Sequence, residues 1–271
     1  MPAIIEVAPA KINLALHVLG RRADGYHEID SVVAFADVGD RLLIERALHN
    51  VLVVKGPFAA EVPLGKDNII WKAHQHLCGF MDLPSVSVQL EKNLPIASGI
   101  GGGSADAGAM LRGLLRLVGG YLDADQIAGL AAVGADVPVC FMGRPAHITG
   151  IGEKISILTE QLPPALVLVN PLVPCSTAEV FKAMGLQAGP LRIAPLKAVW
   201  RNDMTAAAIN VQPMISNVLS ALHNTDLFPV LMSGSGATCF GIAKSFEEAE
   251  AVATELQKLN PKWWVKAARI I

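Results

Sequence analysis

A chain of 271 residues is long enough for one large domain or two of ordinary size, and either can bury a substantial core. Its 52% hydrophobic and 17% charged residues, with a mean hydropathy of +0.43, exclude a disordered protein. The net charge of -2, a pI near 6.4 and the lack of any Lys/Arg run exclude an electrostatic footprint for nucleic acid or a membrane surface, so the expected partner is a small molecule.

Cys78, Cys140, Cys175 and Cys239 lie far apart without ligand spacing, and we read them as buried thiols rather than a disulfide scaffold or a zinc site. Glu6 and Lys11 interrupt any apolar leader, and no stretch is long enough to span a bilayer, so a cytoplasmic location is expected.

Residues 3–20 alternate as a strand that carries Pro9-Ala10-Lys11-Ile12-Asn13. Lys11 and Asn13, two apart, share one face. The pattern alone reads as an edge strand with a solvated face. Asp24-Gly25 then signals a turn, with Tyr26 and His27 just past its bend. Such a ring pair either packs ordinarily or stacks on a planar ligand. Further β-rich runs occupy 31–35 and 41–55.

Asp67-Asn68 precedes a helical pattern with Ile69, Ile70, Ala73, Leu77 and Phe80 on one face and Gly79 as C-cap. His74 and His76 within it do not share a face and are read as surface residues. Val86, Val88 and Leu90 alternate as a strand that runs into Leu94-Pro95-Ile96-Ala97-Ser98-Gly99-Ile100-Gly101-Gly102-Gly103-Ser104. The helix expected next starts at Ser104 and carries Ala107, Met110, Leu111, Leu114, Leu115 and Val118 at three- and four-residue spacing. A glycine turn ahead of a helix N-terminus suits a phosphate, because backbone N–H groups are accessible and the dipole end is positive. It is neither a Walker A loop nor the dinucleotide fingerprint, and a tight strand-to-helix turn would share its composition.

Asp123 or Asp125 caps a short helix that stops at Gly134. In Ala135-Asp136-Val137-Pro138, the proline is expected to hold Val137 extended and to fix Asp136 in a bend. That carboxylate either caps a helix or closes a turn or, set among apolar neighbours, needs a partner such as Lys11. Gly150-Ile151-Gly152 marks the end of this half. The second half reads as a strand at 165–169, a helix capped at Ser176-Thr177-Ala178-Glu179 and carrying Phe181, a helical region that begins at Asn202-Asp203 and runs past an interruption at Pro213 towards Leu222, and a strand at 230–232. A second glycine turn follows, Ser233-Gly234-Ser235-Gly236, then a strand at 239–242, a helix capped at Ser245 and a last strand at 263–270. The order β-α-β-β-α-β resembles a split-βαβ sheet.

Pro9–Asn13, Pro95–Asp106, Gly134–Pro138 and Ser233–Gly236, in that order, resemble the motifs of the GHMP kinases over nearly the whole chain. The resemblance implies an α+β, two-domain GHMP kinase fold. Residues 1–154 would be an N-terminal ATP-binding domain like ribosomal protein S5 domain 2, and 155–271 a C-terminal ferredoxin-like split βαβ domain that completes the substrate site. Arg22-Ala23-Asp24-Gly25-Tyr26-His27 resembles the branch that phosphorylates a cytidine-diphosphate-linked alcohol on the non-mevalonate route to isoprenoids. A homoserine, mevalonate or sugar kinase, or a non-catalytic sensor on the same fold, is the alternative.

By this resemblance Asp136 would be the base at the substrate hydroxyl, with Lys11 beside it to neutralise charge on the transferring group. Pro95, Ile96, Ala97, Ser98, Gly99, Ile100, Gly101, Gly102, Gly103 and Ser104 would cradle the ATP phosphates, with Ser104 touching phosphate or Mg2+. Asn68, Ile69 and Lys92 would line the adenosine. Tyr26 and Phe181 would sandwich the cytosine, His27 would read its edge, and Asn13 and Thr177 would contact the rest of the substrate, which Asp136 also touches. Ala105 replaces a second serine common in the family. Asp106, an acid close to a triphosphate, receives no role.

Overall fold

The computed structural model describes residues 3–192 and 200–271. In chain order the elements are β1 (Ile4–Arg21), β2 (His27–Arg46), β3 (Val51–Lys55), α1 (Ile69–Leu77), β4 (Val86–Glu91), α2 (Gly102–Val118), α3 (Ala124–Gly129) and α4 (Val137–Met142). They continue with β5 (Ala146–Gly150), β6 (Lys154–Ile157), β7 (Ala165–Asn170), α5 (Thr177–Ala183), α6 (Thr205–Val211) and α7 (Met214–His223). The chain closes on β8 (Val230–Met232), β9 (Cys239–Ala243), α8 (Phe246–Leu259) and β10 (Trp264–Arg269). These elements gather into two compact units interleaved along the sequence, one of residues 1–10, 39–96 and 101–143, the other of 11–38, 97–100 and 144–271.

In the first unit, β4 pairs antiparallel with the later part of β2 and parallel with β3. Alternation sends Leu42, Ile44, Leu52, Val86, Val88 and Leu90 to one buried face. Against that apolar layer lies α2, whose Met110, Leu111 and Leu114 are fully enclosed and whose Gly113 faces Ile44, and α1, with Ile70, Ala73 and Leu77 buried, packs on α2. Gly108 lets α2 approach α4 backbone to backbone, since a Cβ there would lie 2.7 Å from the Cys140 carbonyl carbon. The α1 pattern ends earlier than its sequence suggests. Cys78 is the C-cap and Phe80 lies beyond the helix, 44% exposed.

The second unit holds the early part of β2 paired antiparallel with β5, and β5 with β6. It also contains a four-stranded sheet in the order β10-β7-β9-β8, with every neighbouring pair antiparallel. This is the split-βαβ arrangement expected from the sequence. Val167 and Val169 of β7 pack with Ile215, Val218 and Leu222 of α7 and with Ala249, Ala253 and Leu256 of α8 in one apolar core.

Two local expectations change. Val137 is the first residue of α4 rather than extended, because Pro138 falls at the helix start, where a missing N–H removes no intrahelical bond. Three cysteines are buried as expected, but Cys78 is exposed. No helix among the described residues is long and apolar enough to cross a membrane.

Candidate active site

The glycine stretch is built by alternation of backbone handedness. Ala97, Gly99 and Gly101 have φ of +48°, +75° and +65°, while Ser98 and Ile100 between them are not in the left-handed region. Residues that alternate in this way turn successive peptide N–H groups toward one concave side, which binds anions. The opposite side is anchored. The carbonyls of Ser98, Gly99 and Ile100 accept from Thr238 N at 3.0 Å, Ser233 Oγ at 3.0 Å and Lys11 N at 2.9 Å. Each trans peptide sets the next N–H opposite its carbonyl, so these bonds aim the N–H groups of Gly99, Ile100 and Gly101 the other way.

Helix α2 begins at Gly102, two residues before the expected start, with Gly101 as a left-handed N-cap that offers no side-chain acceptor. Its first-turn N–H groups therefore lack a capping side chain, as an anion site requires. Ser104 is in that first turn. Ile69 Cγ2 lies 3.8 Å from where a Gly103 Cβ would stand, and Ser104 Oγ lies 3.9 Å from the equivalent point on Gly134. The starts of α1 and α2 and the turn before α4 thus converge. Asn68, 4% exposed, caps α1 by accepting from Ile70 N at 2.8 Å and donates to Pro63 O at 2.6 Å.

Asp136, half-buried, precedes α4 but makes no capping bond to it. The helix-cap alternative therefore falls. The other end of α4 is gripped by Arg112, whose Nη1 donates to Cys140 O at 2.7 Å and Phe141 O at 3.2 Å. Lys92 is 1% exposed, with its ammonium 2.5 Å from Asp40 and 2.6 Å from Asp106. Burial opposes that charge, but Asp106 and Asp40 together outweigh it and raise the Lys92 pKa. Burial likewise holds the Asp106 carboxyl well above its ordinary range, despite Lys92 beside it. The structure thus gives Lys92 an interior position, and Asp106, left without a role by the sequence, is its partner.

In the second unit, Lys11 and Asn13 are 4% and 3% exposed, so the solvated-edge reading of β1 is overturned. Asn13 N donates to Ser233 Oγ at 3.1 Å and its Nδ2 to Ser31 Oγ at 2.8 Å, while its Oδ1 is buried without a partner. An enclosed acceptor of this kind calls for a donor from elsewhere, such as a ligand. His27 stacks on Phe181 with centroids 4.2 Å apart and planes at 15°, and Tyr26 beside them is 58% exposed. The ring stacked on Phe181 is thus that of His27. Burial and then Arg21 lower the His27 pKa below 6.5, so the imidazole is neutral at pH 7, with one donor and one acceptor nitrogen. Thr177 Oγ1 meets Ser235 Oγ at 2.7 Å, joining α5 to the second glycine turn.

Sequence reading placed Ser233 in the second glycine turn but gave it no role in the site; it is fully buried and bonds both Asn13 and Gly99. Nor did it give one to Asn202, which donates to Met232 O at 2.8 Å and Gly234 O at 2.7 Å. The glycine turn gives the place of Ser233, but neither residue carries a local signal of its long-range partners.

Two family profiles match the chain, "GHMP kinases N terminal domain" over residues 68–144 and "GHMP kinases C terminal" over 181–262. A 4-diphosphocytidyl-2-C-methyl-D-erythritol kinase of Paramagnetospirillum magneticum is 44% identical, with 97% of each chain covered. The protein of that name from Mesorhizobium japonicum is 45% identical over 97% of this chain and 94% of its own. A crystal structure of 4-(cytidine 5'-diphospho)-2C-methyl-D-erythritol kinase superposes with a TM-score of 0.80 at 30% identity, covering 98% of this chain and 99% of that one. A homoserine kinase of Cytophaga hutchinsonii shares the fold, with a TM-score of 0.73 at 16% identity. From a glycine loop at a helix start, the split-βαβ half and matches to both family profiles, it follows that the chain belongs to the GHMP kinase family.

Proposed function

We propose that the chain transfers the γ-phosphoryl group of ATP to the 2-hydroxyl of 4-diphosphocytidyl-2-C-methyl-D-erythritol, releasing ADP, in the non-mevalonate isoprenoid route. The observation that carries the ATP half is the glycine stretch of alternating φ, with its carbonyls anchored away from the concave side. Two relatives at 44% and 45% identity bear the name of this activity and supply the acceptor. The stacked His27 and Phe181 offer flat faces and a neutral imidazole edge suited to a pyrimidine. A homoserine or mevalonate kinase would have no use for that pair.

In this reading residues 1–154 bind ATP and 155–271 complete the substrate site, in line with one family profile on each side of that division. The run Pro95–Ser104 holds the phosphates and Asn68 and Ile69 flank the adenosine, while Asn13, Tyr26, His27, Thr177 and Phe181 hold the acceptor. Phosphoryl transfer has a loose transition state, so placement and charge stabilisation dominate. The hydroxyl oxygen forms the new bond to Pγ, the bond to the ADP oxygen breaks, Asp136 receives the hydroxyl proton and Lys11 offsets charge on the moving group.

Mg2+ keeps most of its waters and takes few protein oxygens beside phosphates. The Ser104 hydroxyl, in the first turn of α2 and facing Gly134, fits that sparse demand. It would hold the ion, whose chemistry is to neutralise phosphate charge. The deciding experiment measures Mg2+-dependent ADP release with 4-diphosphocytidyl-2-C-methyl-D-erythritol beside homoserine and mevalonate. Turnover is expected with the first compound alone and is expected to fall by about 10²- to 10⁴-fold in Asp136→Ala with ATP binding kept. Turnover only with another alcohol would overturn the acceptor.

A further inference from the structure

The buried ion triad lies where the phosphate loop starts and ends. Asp40, fully enclosed on β2, accepts from the backbone N–H of Asn93 at 2.6 Å and of Leu94 at 2.8 Å through Oδ1, and from Lys92 Nζ at 2.5 Å through Oδ2. Asn93 and Leu94 lead directly into Pro95. The same ammonium donates to Asp106 Oδ2 at 2.6 Å, one turn inside α2, and stands 3.2 Å from where a Gly102 Cβ would be. Gly102 is the first residue of α2. One cation therefore ties the segment that enters the loop to the helix that leaves it.

Stability alone does not explain such a group. Enclosing three charges carries a desolvation cost that well-packed apolar side chains avoid, and replacements of that kind are often neutral or stabilising. What apolar side chains lack is a fixed direction. Two charge-assisted bonds from one ammonium hold Asp40 and Asp106 at set positions, and with them the two ends of the loop. The remaining oxygen of Asp106 is buried without a hydrogen-bond partner, so the α2 arm of the triad is the less tightly held one.

We infer that Lys92, Asp40 and Asp106 are positioning residues that set the separation of the two ends of the phosphate loop, and so its fit to the polyphosphate of the nucleotide. The inference rests on the reading of Pro95–Ser104 as the ATP phosphate cradle. It gives Lys92 a part in nucleotide binding that needs no contact with adenosine. It also accounts for an acid at Asp106 that faces inward to an ammonium rather than outward to phosphate.

The test is calorimetric titration of the full chain, wild type, Asp106→Asn and Asp40→Asn, with ATP, ADP and adenosine in the absence of any acceptor. Each variant should bind ATP and ADP on the order of tenfold more weakly, the scale of one charge-assisted bond, with adenosine affinity unchanged within about twofold. In turnover assays KM for ATP should rise by the same factor while kcat at saturating ATP holds. Thermal unfolding without ligand checks that each variant is folded. Equal losses for ATP and adenosine, or no loss for either, would assign the triad to general stability and sink the inference. So would failure of both variants to fold. A wild-type chain that binds no ATP would instead sink the reading of the cradle itself.

Discussion

The two glycine turns look alike as sequence and are rich in glycine for different reasons. In Ala97–Gly101 the backbone alternates in handedness and the anchored carbonyls leave peptide N–H groups on the opposite, concave side. In Ser233–Gly236 the space is taken by the first turn itself. A Cβ on Gly234 would lie 2.6 Å from Gly99 O, and one on Gly99 would lie 2.5 Å from Ser233 O and 2.7 Å from Gly236 O. The second turn is small so that the first can approach it; on the function proposed above, the first is small so that a phosphate can.

The hardest blow to this comparison should come where the turns touch. Gly99→Ala adds a Cβ at φ +75° between two backbone oxygens, and Gly234→Ala adds one at φ +55° against Gly99 O. Neither neighbour is a flexible side chain that can step aside. Each variant should lose about 3 kcal/mol, as strained backbone and displacement combine, and should raise KM for ATP together with the fall in denaturation midpoint. Gly234→Ala is the sharper of the two, because its residue belongs to no expected ATP contact. If it kept wild-type KM, the second turn would not be the support of the first.

Ser233→Ala comes next in size. Its hydroxyl accepts from Asn13 N and donates to Gly99 O, and the site is fully buried. Removal leaves one donor and one acceptor enclosed without it, at a cost of about 1–3 kcal/mol in urea unfolding. KM should rise for both ATP and the acceptor, since one bond steadies the loop and the other steadies the strand that carries Asn13. A change confined to one substrate would show that the hydroxyl serves one side only.

The sequence reveals the β-α order of the second half, the helix caps at Ser176 and Ser245, and the position of the glycine loop, because each is written in local spacing; where it leaves Asp123 or Asp125 open and gives only Asp67-Asn68 ahead of a helix, the structure caps with Asp123 and Asn68. Long-range partners were not legible. Lys92 could be matched to a family position, but its burial depends on Asp40, 52 residues away, and on Asp106. Ser233 binds a residue 220 positions distant. The solvated reading of Lys11 and Asn13 failed for the same reason, since alternation tells which residues share a face and not what covers it. Val137 failed more locally. The rule for a residue before proline yielded to the exception at a helix start.

Gly103→Ala should have the smallest effect on the fold and separates the two uses of glycine most cleanly. Gly103 is exposed in the first turn of α2, its φ is not left-handed, and an added Cβ would meet only Ile69 Cγ2 at an ordinary 3.8 Å. Nothing in the protein requires a glycine there. Alanine is the better helix former, so the variant should be as stable as wild type or more stable by about 0.5–1 kcal/mol. If the helix start faces the phosphates, the same methyl group occupies space that the ligand needs, and ATP affinity should fall while the denaturation midpoint stays or rises. Stability and affinity moving in opposite directions would mark a glycine kept for a ligand, whereas Gly234→Ala should move both downward. An ATP affinity equal to wild type in Gly103→Ala would mean that the phosphates do not approach the first turn of α2 at this residue, and the cradle would then end at Gly101.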